Sequence, residues 1–296
     1  MEKLELVEVS PRDGLQNEPE IVSTANKLAL IGKILDAGFR RLEAGSFVNP
    51  KKVPQMADGD QVFAGLPKRD ATFIALALNP RGVERALAAG AKEINYVFCA
   101  SDGFAMRNNG ATVAETFAVW PEAAAKARHG GARLSATIST AFGCPFDGEV
   151  SIDRLVSVAE MCAQQDIFEL ALADTIGVAA PSDVRERFRA IKDVAAGVQL
   201  RAHFHNTRNT ALANAVAAVE EGVRVLDGSL GGIGGCPFAP GAAGNVPTED
   251  LLYMFTRMGF DMGIDLDRAI DAVKFIGGVL GRKTPGMVSR APKWPH

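Results

Sequence analysis

The sequence contains no apolar run close to the roughly 20 residues that a membrane-spanning helix requires. Its first residues already have the pattern of a strand, and no charged segment, apolar segment and cleavage site of a secretory signal come before them. Cysteine is scarce, and the four cysteines form no CxxC pair, which argues against a disulfide framework and a structural zinc site. We therefore expect a protein of the reducing cytoplasm that has no membrane partner.

An excess of basic residues is missing as well. The formal net charge is -3 and the isoelectric point is near 5.9, so we expect no nucleic-acid partner. Hydrophobic residues make up 47% of the chain and charged residues 23%, with a mean hydropathy of +0.06. These proportions predict a globular protein with enough apolar material for a large core.

The sequence also lacks the glycine-rich phosphate turn that follows an early strand in an open, doubly wound sheet. The first predicted strand ends instead in SPRDG, residues 10–14. Short β-rich runs recur roughly every 30 residues with helical patterns between them, as in βα units. We place the strands near residues 4–9, 40–44, 71–78, 93–99, 133–140, 167–173, 198–204 and 223–229. The predicted fold is α/β, a (β/α)8 TIM barrel with an additional C-terminal helix, and the doubly wound sheet is the alternative.

Apolar stripes that end at a glycine indicate helices over residues 23–37 and 207–221, and Pro247 opens another that stops before Gly259. A further helix over 266–280 and a proline-containing tail exceed what a barrel needs. We expect a barrel domain over 1–262 and a helical extension over 263–296 that packs on the barrel or contributes to an oligomer contact. A homo-oligomer, most simply a dimer, is expected.

Two of the four histidines, His203 and His205, lie one residue apart at the end of a predicted strand. Side chains two residues apart on a strand point to the same side. Neutral imidazoles placed in this way can bind one divalent metal ion. The alternative is a pair of hydrogen-bonded or solvated histidines at the strand end.

Active sites of such barrels lie at the C-terminal ends of the strands. The polar residues at the predicted ends are Arg12, Asp13, Glu43, Asp174, His203, His205, Asp227 and Ser229. We expect them to converge on one rim, where Asp13 and a carbonyl such as that of Asn245 would complete a metal site. Since no thiolate is among these ligands, Mg²⁺ or Mn²⁺ is favoured over structural zinc.

Each carboxylate of this rim also has an ordinary structural interpretation. Asp13 precedes Gly14 and is typical of a turn. Glu43 can form a plain buried ion pair with Arg12, and Asp174 can close a turn or begin a helix.

The loop after the last predicted strand reads GGIGGCPFAPGAAGN over residues 231–245. So many glycines indicate a flexible loop of the kind that closes over a substrate, although a plain surface loop is the alternative. Cys236 at its centre is a candidate acid, base or thiol nucleophile.

Several of these segments closely resemble the 3-hydroxy-3-methylglutaryl-CoA lyases, metal-dependent barrel lyases with an Asp-Arg-Glu trio. The resemblance covers nearly the whole chain, and its segments are VEVSPRDGLQNE (7–18), SFVNP (46–50), VPQM (53–56), the loop over 235–245 and TED (248–250). The cysteine loop separates these lyases from related synthases. The resemblance implies a divalent metal held by Asp13, His203, His205 and Asn245. It also implies an acyl-CoA substrate, cleaved to acetyl-CoA and acetoacetate in leucine degradation.

The residues that the resemblance assigns to the chemistry are Arg12, Glu43, Asp174, His205 and Cys236. Arg12 would stabilise the enolate and, with Gln16, contact the substrate, while Glu249 would support the metal site from behind. Which of Asp13, His205, Glu43, Asp174 and Cys236 is the base and which the acid stays open.

The sequence departs from the family pattern just after the histidine pair. Asn206 stands where aspartate is usual, Arg208 replaces an aromatic residue, and the loop SDGFAMR over 101–107 is looser. Arg208 can therefore contact an extra carboxylate or a CoA phosphate, or simply be a solvated residue at a helix start. The alternatives are a lyase for another branched 3-hydroxyacyl-CoA, citramalyl-type or longer, then a synthase, and finally a non-catalytic metabolite-binding barrel, which the intact set of polar residues disfavours.

Overall fold

The computed structural model describes residues 2–235 and 244–293. Eight parallel strands close into a barrel in the order in which they occur along the chain. They are β1 (Glu5–Glu8), β2 (Arg41–Ser46), β3 (Thr72–Ala77), β4 (Glu93–Cys99), β5 (Arg133–Ser139), β6 (Glu169–Asp174), β7 (Gln199–Phe204) and β8 (Val225–Gly228). The predicted TIM barrel is confirmed, and each strand begins and ends within two residues of its predicted position.

Helices cover the outside of the barrel. They are α1 (Thr24–Asp36), α2 (Gly59–Ala64), α3 (Pro80–Ala88), α4 (Asp102–Asn108), α5 (Val113–Ala118), α6 (Trp120–His129), α7 (Ile152–Ala163), α8 (Pro181–Ile191), α9 (Ala211–Glu220), α10 (Thr248–Arg257) and α11 (Leu266–Val279). The first helix begins where the sequence predicts it, because the Ser23 hydroxyl accepts a hydrogen bond from the N–H of Asn26 and caps it. Among the described residues, no helix combines the length and the apolar character that crossing a membrane demands.

The helix predicted from Thr207 starts four residues later, at Ala211. Asn209 has a φ of 57°, in the left-handed region, and the side-chain oxygen of Asn206 accepts a hydrogen bond from the N–H of Ala211 at 3.2 Å. This local bonding competes with helix formation and holds residues 207–210 in a turn. Arg208 therefore lies in the turn and not on the helix.

The C-terminal helix α11 packs on α1. The N–H of Asp265 donates to the carbonyl of Ala37 at 2.8 Å, and the Arg268 guanidinium donates to the carbonyl of Asp36 at 2.9 Å. A short parallel pair of strands, Glu2–Lys3 with Phe260–Asp261, joins the N-terminal segment to the segment between α10 and α11.

The layer between strands and helices is the main apolar core. Leu30, Ile31 and Ile34 of α1 are fully buried in it, together with residues from the other helices. Tyr96 and Trp120 pack their rings 4.9 Å apart between centroids. Burying one aliphatic side chain of this core, such as that of Ile31, stabilises the fold by about 1.5–3 kcal/mol.

The inside of the barrel differs from this shell. It holds a small separate apolar cluster of Val7, Val9, Ile74 and Val225. It also holds buried charged residues, among them Arg41, Glu93, Glu169 and Arg201.

Arg41 is at the centre of these charges. It donates to Glu169 Oε2 at 2.6 Å and to Glu93 Oε1 at 3.0 Å. Burial alone would lower the pKa of Arg41, but the hydrogen bonds and charges of Glu169 and Glu93 raise it above its ordinary value. These charge-assisted bonds offset the cost of removing the ions from water.

Candidate metal and catalytic site

Strand β1 is followed by a single π-helical turn, Ser10–Gly14. The N–H groups of Asp13 and Gly14 both donate to the carbonyl of Val9, at 2.8 and 3.2 Å. Such wide turns are rare and are often found at functional sites. Here the turn places Arg12 and Asp13 at the wall of a cavity at the C-terminal end of the barrel.

Arg12 is held by two carboxylates. Its Nε donates to Glu43 Oε2 at 2.5 Å, and its Nη1 donates to Asp13 Oδ1 at 2.5 Å. The second oxygen of Glu43 accepts a hydrogen bond from Asn95 at 3.2 Å. Burial alone would lower the pKa of Arg12, but Asp13 and Glu43 raise it, so the guanidinium stays a fixed cation. The ion pair expected as the structural role of Glu43 is therefore present.

Asp13, His203 and His205 each offer a ligand atom, and these atoms lie within 4.8 Å of one another. His205 Nε2 is 3.8 Å from Asp13 Oδ2, and the two imidazole rings are 5.1 Å apart between centroids. Burial alone would raise the pKa of Asp13, but the charge of Arg12 and the contact with His205 hold it well below its usual range. Asp13 is thus a carboxylate, the form that binds cations.

His203 is oriented from behind by Asp227. Its Nδ1 is 2.6 Å from Asp227 Oδ1, an arrangement that leaves Nε2 free for a ligand in the cavity. Burial alone would lower the pKa of His203, but Asp227 raises it above its ordinary value.

Asn245, in the loop that follows β8, also contacts this group. Its side-chain N–H₂ donates to Asp13 Oδ2 at 2.8 Å and to the carbonyl of Ile233 at 3.1 Å. Its Oδ1 is buried and has no hydrogen-bond partner among the described residues. Buried polar atoms normally have partners, so this carbonyl oxygen, which lies on the same side chain that contacts the Asp13 carboxylate, is suited to binding a cation.

Two glycines allow the loop after β8 to lie directly against the turn after β1. A Cβ on Gly234 would lie 2.6 Å from Asn245 Nδ2 and 2.8 Å from the carbonyl of Asp13, and its φ of +105° also favours glycine. A Cβ on Gly14 would lie 2.6 Å from the Ser229 hydroxyl. These glycines let the loop pack directly on the turn after β1, which brings Asn245 to Asp13.

The ion-binding and charged side chains share one cavity of about 500 Å³, a size typical of small-molecule sites. The predicted residues that line it are Arg12, Asp13, Gln16, Glu43, His203, His205 and Asp227. Asn245 contacts Asp13 but lines a second, neighbouring cavity. Its apolar wall is formed by Val48, Val53, Leu76, Leu78, Val97 and Phe104. Asn49, Lys52, Asn108 and Asn109 add polar groups.

Other predicted residues are not brought to the cavity. The carboxylate oxygens of Asp174 accept hydrogen bonds from the N–H groups of Val178 and Ala179, at 2.9 and 3.0 Å. Asp174 therefore closes the loop after β6, and burial raises its pKa.

Arg208 is not at the cavity wall either. Arg208 donates to the carbonyls of Ile176 and Gly177, at 3.1 and 3.0 Å. It holds the same loop that Asp174 closes. Cys236 lies outside the residues that the structure describes.

Two buried carboxyl groups support the loop from below. Glu249 accepts a hydrogen bond from the N–H of Gly231 at 2.9 Å, and Glu8 accepts from the N–H groups of Ser10 and Leu230, at 2.8 and 3.0 Å. Burial raises the pKa of each to about 7. Glu249 was expected near the metal ligands, whereas Glu8 was not singled out from the sequence.

Sequence reasoning also missed Asn95, Thr137 and Arg201, which line the cavity below the predicted residues. A signal was present for Arg201. It precedes His203 by two residues on β7, so the alternation of strand side chains places both on the same side.

The comparisons with known proteins agree with this fold. A family model described as HMGL-like matches residues 3–276. The chain belongs to this family, that of the 3-hydroxy-3-methylglutaryl-CoA lyases. The family predicted from the sequence is thus confirmed, and with it the assignment to a lyase family of enzymes.

Individual relatives are similar over their whole length. The (R)-citramalyl-CoA lyase of Chloroflexus aurantiacus is 44% identical, covering 100% of this chain and 97% of the relative. The mitochondrial hydroxymethylglutaryl-CoA lyase of Rattus norvegicus is 40% identical, covering 98% of this chain and 89% of the relative. The structure of an HMG-CoA lyase from Acinetobacter baumannii in complex with coenzyme A and 3-methylmalate is 41% identical, with a TM-score of 0.94 over 98% of this chain and 95% of that chain.

Proposed function

We propose that this protein is a divalent-metal-dependent carbon–carbon lyase that cleaves 3-hydroxy-3-methylglutaryl-CoA to acetyl-CoA and acetoacetate. The observation that carries the proposal is the grouping of Asp13, His203 and His205 beside Arg12 on one cavity. Relatives that are named hydroxymethylglutaryl-CoA lyase, at about 40% identity over nearly the whole chain, support it.

Asp13, His203, His205 and Asn245 would hold the metal. Their oxygen and imidazole nitrogen atoms, without sulfur, suit Mg²⁺ or Mn²⁺. When bound, the ion would withdraw charge from the hydroxyl and carboxylate oxygens of the substrate and make the hydroxyl more acidic.

Arg12 has the central role among the residues of the chain itself. Cleavage breaks the bond between C2 and C3 and moves its electron pair towards the thioester, where an enolate oxygen develops. A guanidinium fixed by Glu43 and Asp13 can stabilise that charge without having to reorganise. Gln16, on the same cavity wall, is proposed to contact the substrate.

The hydroxyl proton must be removed, and the enolate carbon must be protonated. Among the groups predicted for these proton transfers, Asp13, Glu43 and His205 line the cavity, whereas the oxygens of Asp174 accept hydrogen bonds from backbone N–H groups. We therefore propose the base to be Asp13, Glu43 or His205. Cys236 or His205 is proposed as the proton donor to carbon.

A citramalyl thioester is the second candidate substrate. The 44% identity to a citramalyl-CoA lyase over the whole chain favours it. Arg208 does not decide between the two substrates, since its guanidinium donates to backbone carbonyls.

One assay separates these candidates. Purified protein with Mg²⁺ or Mn²⁺ is given each thioester in turn, and acetyl-CoA, acetoacetate and pyruvate are measured. We expect the higher kcat/KM with 3-hydroxy-3-methylglutaryl-CoA, and EDTA should abolish turnover. A higher value for the citramalyl thioester would transfer the assignment to that substrate, and no turnover of either would contradict the proposal.

We also propose a homodimer, with residues 1–262 as the catalytic domain and 263–296 as its extension. Light scattering on the eluting protein tests the dimer. A cytoplasmic location is proposed because the described cysteines, Cys99, Cys144 and Cys162, are buried free thiols, as expected in a reducing compartment.

A further inference from the structure

A continuous chain of polar contacts crosses the barrel interior beneath the cavity. Asn95 Nδ2 donates to Glu43 Oε1 at 3.2 Å, and the Thr137 hydroxyl donates to Asn95 Oδ1 at 2.9 Å. Arg201 Nη2 in turn donates to the Thr137 hydroxyl oxygen at 3.2 Å. The chain thus starts at the carboxylate that holds Arg12 and runs over β2, β4 and β5 to β7.

Arg201 continues the chain to the other half of the site. Its Nε lies 3.4 Å from Asp227 Oδ2, and the other oxygen of Asp227 is 2.6 Å from His203 Nδ1. Its Nη1 lies 3.2 Å from Glu169 Oε1. A single planar guanidinium thus hydrogen-bonds to Thr137 and forms ion pairs with Glu169 and Asp227, so its position is coupled to all three.

The position of Arg201 is unusual for a barrel. Interiors of TIM barrels are mostly filled with branched apolar side chains. Arg201 is only 3% exposed, so its charge has been removed from water at a cost in free energy. An apolar residue would fill the same space without that cost. Residues that break such packing rules are concentrated at functional sites.

We propose that Arg201 is a positioning residue for the reaction. It fixes Asp227 and thereby the imidazole of His203, and through Thr137 and Asn95 it fixes Glu43 and thereby Arg12. One buried side chain then sets the metal-binding half and the cationic half of the site relative to each other. The inference rests on the proposed function, in which His203 binds the metal and Arg12 contacts the substrate.

The metal-binding half is tested with Arg201→Met and Arg201→Lys in the apo protein. The measurement is the Kd for Mn²⁺ by titration calorimetry, which needs no substrate. Loss of support behind a metal ligand typically weakens binding about 10–100-fold, and we expect Arg201→Met to lie in that range. Arg201→Lys keeps the charge but not the planar guanidinium, so it should recover part of the loss.

The cationic half is tested with Thr137→Val, which removes the hydroxyl link and leaves every charge in place. Because a small displacement of a catalytic group is costly, we expect kcat to fall about tenfold with KM and the Mn²⁺ Kd within about twofold of native. This variant also keeps the proposal testable if the arginine variants do not fold.

Ser135→Ala is the matched control. Ser135 lies two residues earlier on the same strand, is fully buried, and its hydroxyl has no partner among the described residues. It should leave kcat and the Mn²⁺ Kd as they are.

A purely structural role for Arg201 would give a different pattern. The thermal midpoints would fall while the Mn²⁺ Kd of Arg201→Met and the kcat of Thr137→Val stayed within about twofold of native, and that result would overturn the proposal. If the native protein cleaves neither thioester, the proposed function fails, but the calorimetric result still decides whether Arg201 supports the metal ligands.

Discussion

The two buried regions of the barrel differ in what their side chains require of one another. In the shell between strands and helices, Leu30, Ile31 and Ile34 meet neighbours through contacts that have no preferred direction. Inside the barrel, Arg41 and Arg201 meet carboxylates through hydrogen bonds and ion pairs whose geometry matters. An apolar residue of the shell can therefore be replaced by another apolar residue. The polar contacts of the interior, in contrast, hold the side chains of the cavity in fixed positions.

The largest effect is expected at the top of the polar interior, with Arg12→Gln. Loss of a preorganised charge on a developing oxyanion should lower kcat about 10³-fold, while Mn²⁺ still binds. Steady-state kinetics with calorimetry on the same sample measure both. Arg185→Gln, at a surface ion pair with Glu220, is the control and should behave like the native protein. A kcat for Arg12→Gln close to native would remove Arg12 from the chemistry.

His203→Ala should act on metal binding first. It removes a ligand atom together with the contact to Asp227, so we expect the Kd for Mn²⁺ to rise about 100-fold or more. His129→Ala is the matched control, since His129 is exposed on α6 and its Nδ1 is hydrogen-bonded to the carbonyl of Ala125 on the same helix. Equal metal content in the two variants would contradict the assignment of His203 as a metal ligand.

Glu8 is the polar exception on the shell side of β1, and it predicts a pH dependence. Its folded pKa is about 7, against an ordinary value of 4.5. A carboxyl whose pKa is raised on folding binds its proton more tightly in the folded state. Its contribution to stability is therefore full below pH 4.5 and is lost as the pH rises through about 7.

Glu8→Gln has no such proton. We expect its free energy of unfolding to fall less steeply between pH 4.5 and about 7 than that of the native protein. The difference in slope should reach at most about 1.4 kcal/mol per pH unit. Denaturant titrations across this window measure it, with the exposed Glu186→Gln as control. Parallel slopes for Glu8→Gln and the native protein would contradict the prediction.

The smallest effect is expected in the shell. Ile34→Val removes one methylene group from a fully buried position on α1 and should cost about 1 kcal/mol of unfolding free energy. The kcat and the Mn²⁺ Kd should not change, in contrast to Thr137→Val, which alters a side chain of similar size inside the barrel. A lower kcat for Ile34→Val would show that shell and interior are not separable.

The sequence patterns were sufficient for the barrel and for the grouping of Asp13, His203 and His205. Side chains alternate along β7, and the C-terminal ends of the strands lie at one rim. Both rules follow from the backbone alone, so they can be applied without knowing side-chain conformations. Asp174 shows the limit of this reasoning. Ala173 lines the cavity, and a step of one residue turns the next side chain to the other side of the strand.

Contacts that depend on the conformation of long side chains were not predictable either. Arg201 and Arg208 are both arginines near the histidine pair in sequence. Arg201 turns inward to Thr137, whereas Arg208 reaches the backbone of the preceding βα loop. The spacing of Arg201 from His203 indicates the inward side of β7 but not the contact with Thr137. The contacts of Arg208 follow from a turn shaped by the left-handed Asn209 and the hydrogen bond of Asn206, which composition and spacing do not predict.

The bond between Asp13 and Asn245 joins residues that are 232 positions apart. During synthesis, Asp13 leaves the ribosome early, but its partner arrives only after all eight strands have been made. Closing so long a loop is entropically costly and comes late in folding. Because Asn245 is a proposed metal ligand, we expect high-affinity Mn²⁺ binding only once the loop after β8 has docked on the turn after β1. The appearance of bound Mn²⁺ during refolding would then report that docking step.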